Sequence, residues 1–99
     1  MANLLKKNNC EKIIIDFTRL SQNCPQVTPN RFYVLKHCTI GRIIGILRCK
    51  LHLPSFSVIF ISCNNTILNI IDSVQNVHER FKKNDNVLYF SYDVESTFG

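Results

Sequence analysis

The run SVIFIS, residues 57–62, constrains this chain more than any other stretch. It is short, continuous and β-branched, with Pro54 before it and Asn64-Asn65-Thr66 after it. It therefore reads as a strand closed by a turn, and its lack of alternation predicts a central strand covered on both faces. Two segments of helical period flank it. Thr39 is an N-cap residue, and Ile40, Ile43, Ile44, Leu47 and Leu51 recur at helical spacing, which predicts an amphipathic helix from Thr39 to about Lys50. The LHLP sequence ends it, because Pro54 disfavours helical geometry in Leu53. Gly45 lowers helix propensity inside that segment and predicts close packing there. Ile70, Ile71, Val74, Val77 and Phe81 predict a second helix from Ile70 to Lys82, with basic residues at the end where they complement the helix dipole.

The remaining apolar runs read as strands. KIIIDFTRL predicts one over Ile13–Arg19, and RFYVLK a second. The polar, proline-containing loop SQNCPQVTPN between them predicts an antiparallel hairpin with a wide connection. KNDN predicts a turn, and VLYFSY a last strand with one covered face and one wet face. The predicted order is strand, strand, helix, strand, helix, strand. Because an edge strand alternates, Phe32 and Tyr33 cannot both face a core, so at least one is exposed.

With 99 residues, 45% hydrophobic and 19% charged, the chain can bury one core and no more. Its formal charge of +5 favours acidic partners, whether phosphorylated surfaces, nucleic acid, anionic lipid or acidic peptides. The five cysteines, Cys10, Cys24, Cys38, Cys49 and Cys63, are unevenly spaced with no C-x-x-C pair, which argues for reduced thiols rather than a disulfide framework or a zinc site. No apolar run approaches the roughly 18 residues that cross a bilayer, and MANLLKKNNC is too polar for a signal peptide, which predicts a cytosolic chain. His37, His52 and His78 fall in separate elements, and no nucleophile stands beside a base with an orienting partner. The neighbours His37 and Cys38 read as a strand-end imidazole beside a buried thiol. Neither a catalytic group nor a cofactor is expected.

From Cys38 to Gly99 the chain resembles, without a gap, the GABARAP-like autophagy modifiers, the autophagy-related protein 8 family. The resemblance lies in TIGRIIGILRCKLHLP, in IFI followed by NNT, and in LYFSYDVESTFG. It continues more weakly through CPQVTPNRFYV. It implies an α+β fold of the ubiquitin-like β-grasp type, with a mixed four-stranded sheet, two packed helices and at most one short N-terminal helix. The implied organisation is a short extension over residues 1–12, the β-grasp domain over 13–92 and an extended conjugation tail over 93–99.

Members of that family are substrates of an enzyme cascade. The resemblance implies that Gly99 is activated, passed as a thioester between cysteines of activating and conjugating enzymes, and joined to phosphatidylethanolamine, with Thr97 and Phe98 forming the handle those enzymes grip. A glycine suits that role because it has no Cβ to crowd attack on its carbonyl. The modifier would then be membrane-bound on an autophagosome or related vesicle.

The family also adds short aromatic-x-x-aliphatic motifs, preceded by acids, as a strand on the edge of its second strand. By position, the aromatic anchor's pocket maps to Ile13, Ile15, Arg31, Tyr33 and Val87. The aliphatic anchor's pocket maps to Phe32, Val34, Leu35, Cys38, Ile43 and Ile46. Arg31 is either the cation that pairs with the motif's acids or a solvated edge-strand charge.

Two other readings stand beside this one. A divergent member could serve a different organelle membrane. A small nucleic-acid-binding module is the other, but Lys6, Lys7, Arg19, Arg42, Lys50 and Lys82 are scattered rather than gathered into one stripe with aromatics, so no nucleic acid is expected.

Overall fold

The computed structural model describes residues 12–81 and 87–95. Strands β1 (Lys12–Arg19) and β2 (Arg31–Leu35) precede helix α1 (Ile40–Lys50). Strands β3 (Val58–Cys63) and β4 (Thr66–Ile67), helix α2 (Val74–Phe81) and strand β5 (Val87–Glu95) follow. The sheet order is β2-β1-β5-β3-β4. The expected hairpin of β1 and β2 is antiparallel, β1 runs parallel to β5, and β3 is antiparallel to β5. The sheet thus has five strands rather than four. The additional β4 is two residues long and pairs with β3 across Asn64 and Asn65, whose φ values of 52° and 64° are those of a tight mirror-image hairpin turn. The expected KNDN turn and the residues ahead of β1 lie outside the described residues, as does the tail beyond Glu95.

Both helices contribute to a single core. Ile40, Ile43 and Leu47 of α1 and Val74 and Val77 of α2 are wholly buried with Ile15, Phe17, Leu88, Phe90, Tyr92, Ile59 and Ile61 of the sheet. Each such side chain removed from water contributes about 1.5–3 kcal/mol before ordering entropy is counted. Phe17 is central among them, stacked on Phe32 at 5.3 Å and edge-on to Phe90 and Tyr92 at 5.8 and 5.9 Å.

The β3 strand departs from expectation. It alternates, with Ile59 and Ile61 in the core while Val58 and Phe60 are each 38% exposed on the opposite face. A continuous apolar run therefore marked a strand here without marking two covered faces. The second helix is shorter than its sequence period suggested. Ile70 and Ile71 precede it in a turn and are exposed, Ile71 to 77%. That turn is held by the Asn69 side chain accepting the Ile71 N–H at 3.1 Å, and Ser73 Oγ then caps the helix by accepting from Asn76 N–H at 3.1 Å.

The two helix N-termini satisfy each other's neighbourhoods. At α1 the Thr39 hydroxyl accepts from Arg42 N–H, as the sequence predicted, while Ile40 and Gly41 donate to the carbonyls of Asp72 and Ile70, both at 2.9 Å. At α2, Val74 and Gln75 donate to the carbonyls of Cys38 and Lys36 at 2.8 and 3.0 Å. The unpaired donors at the start of α1 thereby fix the segment before α2, and those at the start of α2 fix the segment after β2. Gly41 is where the approach is tightest, since an added Cβ would sit 3.3 Å from the Ile70 carbonyl oxygen. Gly45 is the reverse of what was expected: a Cβ there would meet nothing within 4 Å.

The end of α1 comes before Pro54 can act. Leu51 caps it, His52 takes a left-handed φ of 56°, and the N–H groups of His52 and Leu53 return to the carbonyls of Cys49 and Arg48. This is a Schellman motif with histidine where glycine is favoured.

Candidate functional site

The order of the sheet leaves β2 as an outer strand, paired only with β1 among the described residues. Its side chains alternate: Val34 is buried and Phe32 half-buried against the core, while Arg31, Tyr33 and Leu35 point outward, with Tyr33 66% and Leu35 53% exposed. One of the two adjacent aromatics is exposed, as the alternation required.

Register decides which residues of β1 share the outer face. Ile14 pairs with both Tyr33 and Val87, and Asp16 with both Arg31 and Tyr89. Ile13 and Ile15 pair instead with Val34 and Phe32 and are buried among the core residues. The structure therefore corrects the expected aromatic pocket. Tyr33, Val87 and Arg31 do share a face, but their β1 neighbours there are Ile14 and Asp16, because a shift of one residue along a strand moves every side chain to the opposite side.

Asp16 changes the chemistry of that face. Arg31 donates from Nε and Nη2 to Asp16 Oδ2 at 3.0 and 2.8 Å, and Asn30 Nδ2 donates to Oδ1 at 3.4 Å. The hydrogen bonds that Arg31 donates to Asp16 push its pKa further above its ordinary value, with a smaller contribution from Tyr89. Arg31 thus carries a charge already matched within the chain.

At the other end of β2 a cavity of about 400 Å³ is lined by Tyr33, Val34, Leu35, His37, Cys38, Arg42 and Ile46. Four of the six residues expected for the aliphatic pocket, Val34, Leu35, Cys38 and Ile46, are brought together here. The other two are not: Ile43 is sealed in the core, and Phe32 stacks on Phe17 with the Lys50 ammonium 5.3 Å from its ring centroid. Partial burial raises the Cys38 pKa, opposed by the positive charge of Arg42, so the thiol remains neutral and apolar at physiological pH. A second cavity of about 400 Å³ adjoins the first along α1, lined by Arg42, Gly45, Ile46, Cys49 and Lys50.

Sequence reading did not assign Ile14, Asp16, His37 or Arg42 to this site, having read His37 as structural and Arg42 as one of several scattered cations. For Arg42 a signal was present: it stands four residues before Ile46, which places the two along one helical flank once α1 is assigned. Thr97, Phe98 and Gly99 lie outside the described residues. Among the described residues no group of three or more His, Cys, Asp and Glu could hold a metal ion, and no helix is long and apolar enough to cross a membrane.

First and last strands side by side and parallel, a hairpin at each flank and two helices sharing one core define a ubiquitin-like β-grasp domain. Residues 2–99 match the family described as "Autophagy protein Atg8 ubiquitin like", and the chain belongs to that family of autophagy modifiers. Autophagy-related protein 8D of Oryza sativa subsp. japonica is 33% identical over 88 residues, 88% of this chain and 73% of that protein. Autophagy-related protein 8i of Arabidopsis thaliana is 32% identical over 75 residues, 76% of this chain. The aligned part is 65% of the length of the Arabidopsis protein and 67% of that of the Pichia angusta autophagy-related protein 8. The crystal structure of Trypanosoma brucei ATG8 has the same fold, with a TM-score of 0.81 over 99% of this chain and 85% of that one, at 23% identity.

Proposed function

We propose that this chain is a modifier joined through Gly99 to phosphatidylethanolamine, which then recruits proteins carrying acidic aromatic-x-x-aliphatic motifs to autophagic or related membranes. The observation that carries the recruiting half is the pairing of a strand edge with an adjacent apolar cavity: among the described residues β2 pairs on one side only, and the space between Leu35, Cys38 and Ile46 admits a branched aliphatic side chain. Tyr33, Ile14 and Val87 form the apolar row available to the aromatic anchor. The conjugating half rests on family membership and on the sequence STFG at residues 96–99, with Thr97 and Phe98 as the proposed enzyme handle.

In this reading the chain performs no catalysis. It belongs to a family of modifiers rather than enzymes, and the activating and conjugating enzymes supply every reacting cysteine.

Two experiments test the halves separately. In a reconstituted conjugation system, Gly99→Ala is expected to abolish attachment to phosphatidylethanolamine while the fold is retained; attachment at the unaltered rate overturns the conjugation assignment. Ile46→Glu replaces part of the apolar cavity wall with a carboxylate drawn to Arg42 and Lys50, one turn away on either side, and is expected to weaken binding of a core motif peptide by roughly tenfold or more. Unaltered affinity overturns the groove.

A further inference from the structure

Among the described residues, the charges along the groove run opposite to what a motif preceded by acids needs. Resting on the groove reading above, we propose that this chain selects acidic residues after the aliphatic anchor, held by Arg42 and Lys50, rather than acidic residues before the aromatic anchor.

At the aromatic end the only outward cation of β2 is Arg31, and both of its bonding nitrogens are committed to Asp16. A peptide carboxylate arriving there meets a neutralised pair and the negative charge of Asp16 itself, so upstream acids gain little attraction. At the aliphatic end the situation is reversed. Arg42 borders both cavities and Lys50 closes the second. Among the described residues neither forms a salt bridge. Lys50 meets the ring of Phe32 instead, a contact that leaves its ammonium able to accept an anion. His37 adds a further titratable group at the rim of the first cavity.

Geometry makes the second cavity the continuation of the first. A peptide paired with β2 that places its aromatic anchor near Tyr33 and its aliphatic anchor against Leu35, Cys38 and Ile46 must leave along α1. There Ile46 and Arg42 are shared by both cavities, and the absence of a side chain at Gly45 keeps the path open. Arg42 and Lys50 are separated by about 12 Å of helix, which roughly three to four residues of extended peptide would span. The occupant with the matching chemistry is therefore an extended segment carrying two or three carboxylates immediately after the aliphatic residue, with a small apolar side chain over Gly45 and Cys49.

The test compares two synthetic peptides with one aromatic-x-x-aliphatic core, one bearing three acidic residues before the core and the other bearing them after it. Affinities are read by fluorescence anisotropy on the full chain. The peptide with trailing acids is expected to bind roughly three- to tenfold more tightly at low salt, the range set by two surface ion pairs, with the difference shrinking as salt rises. The double variant Arg42→Ala, Lys50→Ala should remove that preference, and Asp16→Asn, by releasing Arg31, should strengthen binding of the peptide with leading acids. Equal affinities, or tighter binding of the leading-acid peptide, overturn the inference and leave the groove standing. Failure of both peptides to bind overturns the groove reading as well.

Discussion

The phenolic oxygen of Tyr92 accepts the backbone N–H of Val27 at 2.8 Å, linking residues 65 apart in sequence. The same hydroxyl donates to the Pro25 carbonyl at 2.7 Å. One buried side chain of β5 therefore anchors the long connection that delivers β2 to the sheet's edge. Tyr92→Phe keeps the ring against Phe17 but leaves the buried Val27 N–H without its acceptor. The expected loss is about 1–3 kcal/mol of stability, measured by urea unfolding; an unaltered midpoint would contradict this role.

The same residue gives the fold an alkaline limit. Burial holds the Tyr92 pKa above its ordinary value of 10.0, partly offset by the Val27 hydrogen bond. The folded chain keeps a proton that the unfolded chain releases, so the contribution is complete below about pH 10 and is lost as pH rises through the higher folded value. Wild type should show a steeper fall in stability across that window than Tyr92→Phe. Parallel curves would refute it.

His52 is the residue to replace for a gain. Its left-handed φ of 56° closes the Schellman motif at the end of α1, a conformation that costs an L side chain roughly 1–2 kcal/mol and glycine little. His52→Gly is expected to raise stability by about 0.5–1 kcal/mol after glycine's greater unfolded-state entropy is counted. Thermal unfolding checks it, and a lower midpoint would count against it.

The two glycines of α1 should respond oppositely to alanine. Gly45→Ala adds a methyl group to open space and improves helix propensity, an expected gain of about 0.5–1 kcal/mol. Gly41→Ala drives a methyl group to 3.3 Å from the Ile70 carbonyl oxygen and strains the bond from Gly41 N–H to that same oxygen. A loss of about 1–3 kcal/mol is expected. Calorimetry of the pair decides, since the packing account fails if both move the same way.

Thiol reactivity should separate along burial. Cys49 is exposed, Cys38 is half-buried with a raised pKa, and Cys24 and Cys63 are buried, the Cys24 pKa also raised by desolvation. Among these four, alkylation near neutral pH should label Cys49 first and Cys24 and Cys63 only when the chain unfolds. Peptide mapping that finds Cys24 labelled as readily as Cys49 would contradict the packing.

What the sequence made legible was the order of elements. Each helix carried an apolar stripe, Thr39 marked one start, and the proline-containing loop separated β1 from β2. The side chains of the site were harder to place because KIIID contains three isoleucines in succession, so a period of two has no visible phase. The pairing of Ile15 with Phe32 and Leu88 and the stacking of Phe17 on Phe32 set that phase, and both arise only when β2 and β5 are laid beside β1. Ile70 and Ile71 misled for a related reason: their spacing fits a helix, but the Asn69 turn and the Ser73 cap start it later. The single core was readable, and Val34, Leu35, Cys38 and Ile46, grouped by the family resemblance, do line one cavity. The acidic neighbour of Arg31 was not, since nothing local to residue 31 announces residue 16.

The position of β5 has a bearing on synthesis. Of the described strands it is the last to be synthesised, yet it lies between β1 and β3 and joins the two hairpins. A growing chain that lacks it holds two small sheets with no shared edge, each too small to persist by itself. Completion of the domain therefore waits on its final strand, and the proposed attachment residues follow that strand directly. On the proposed reading, a nascent chain long enough to include Gly99 already carries every strand of the described sheet, so attachment at that residue would follow synthesis of β5.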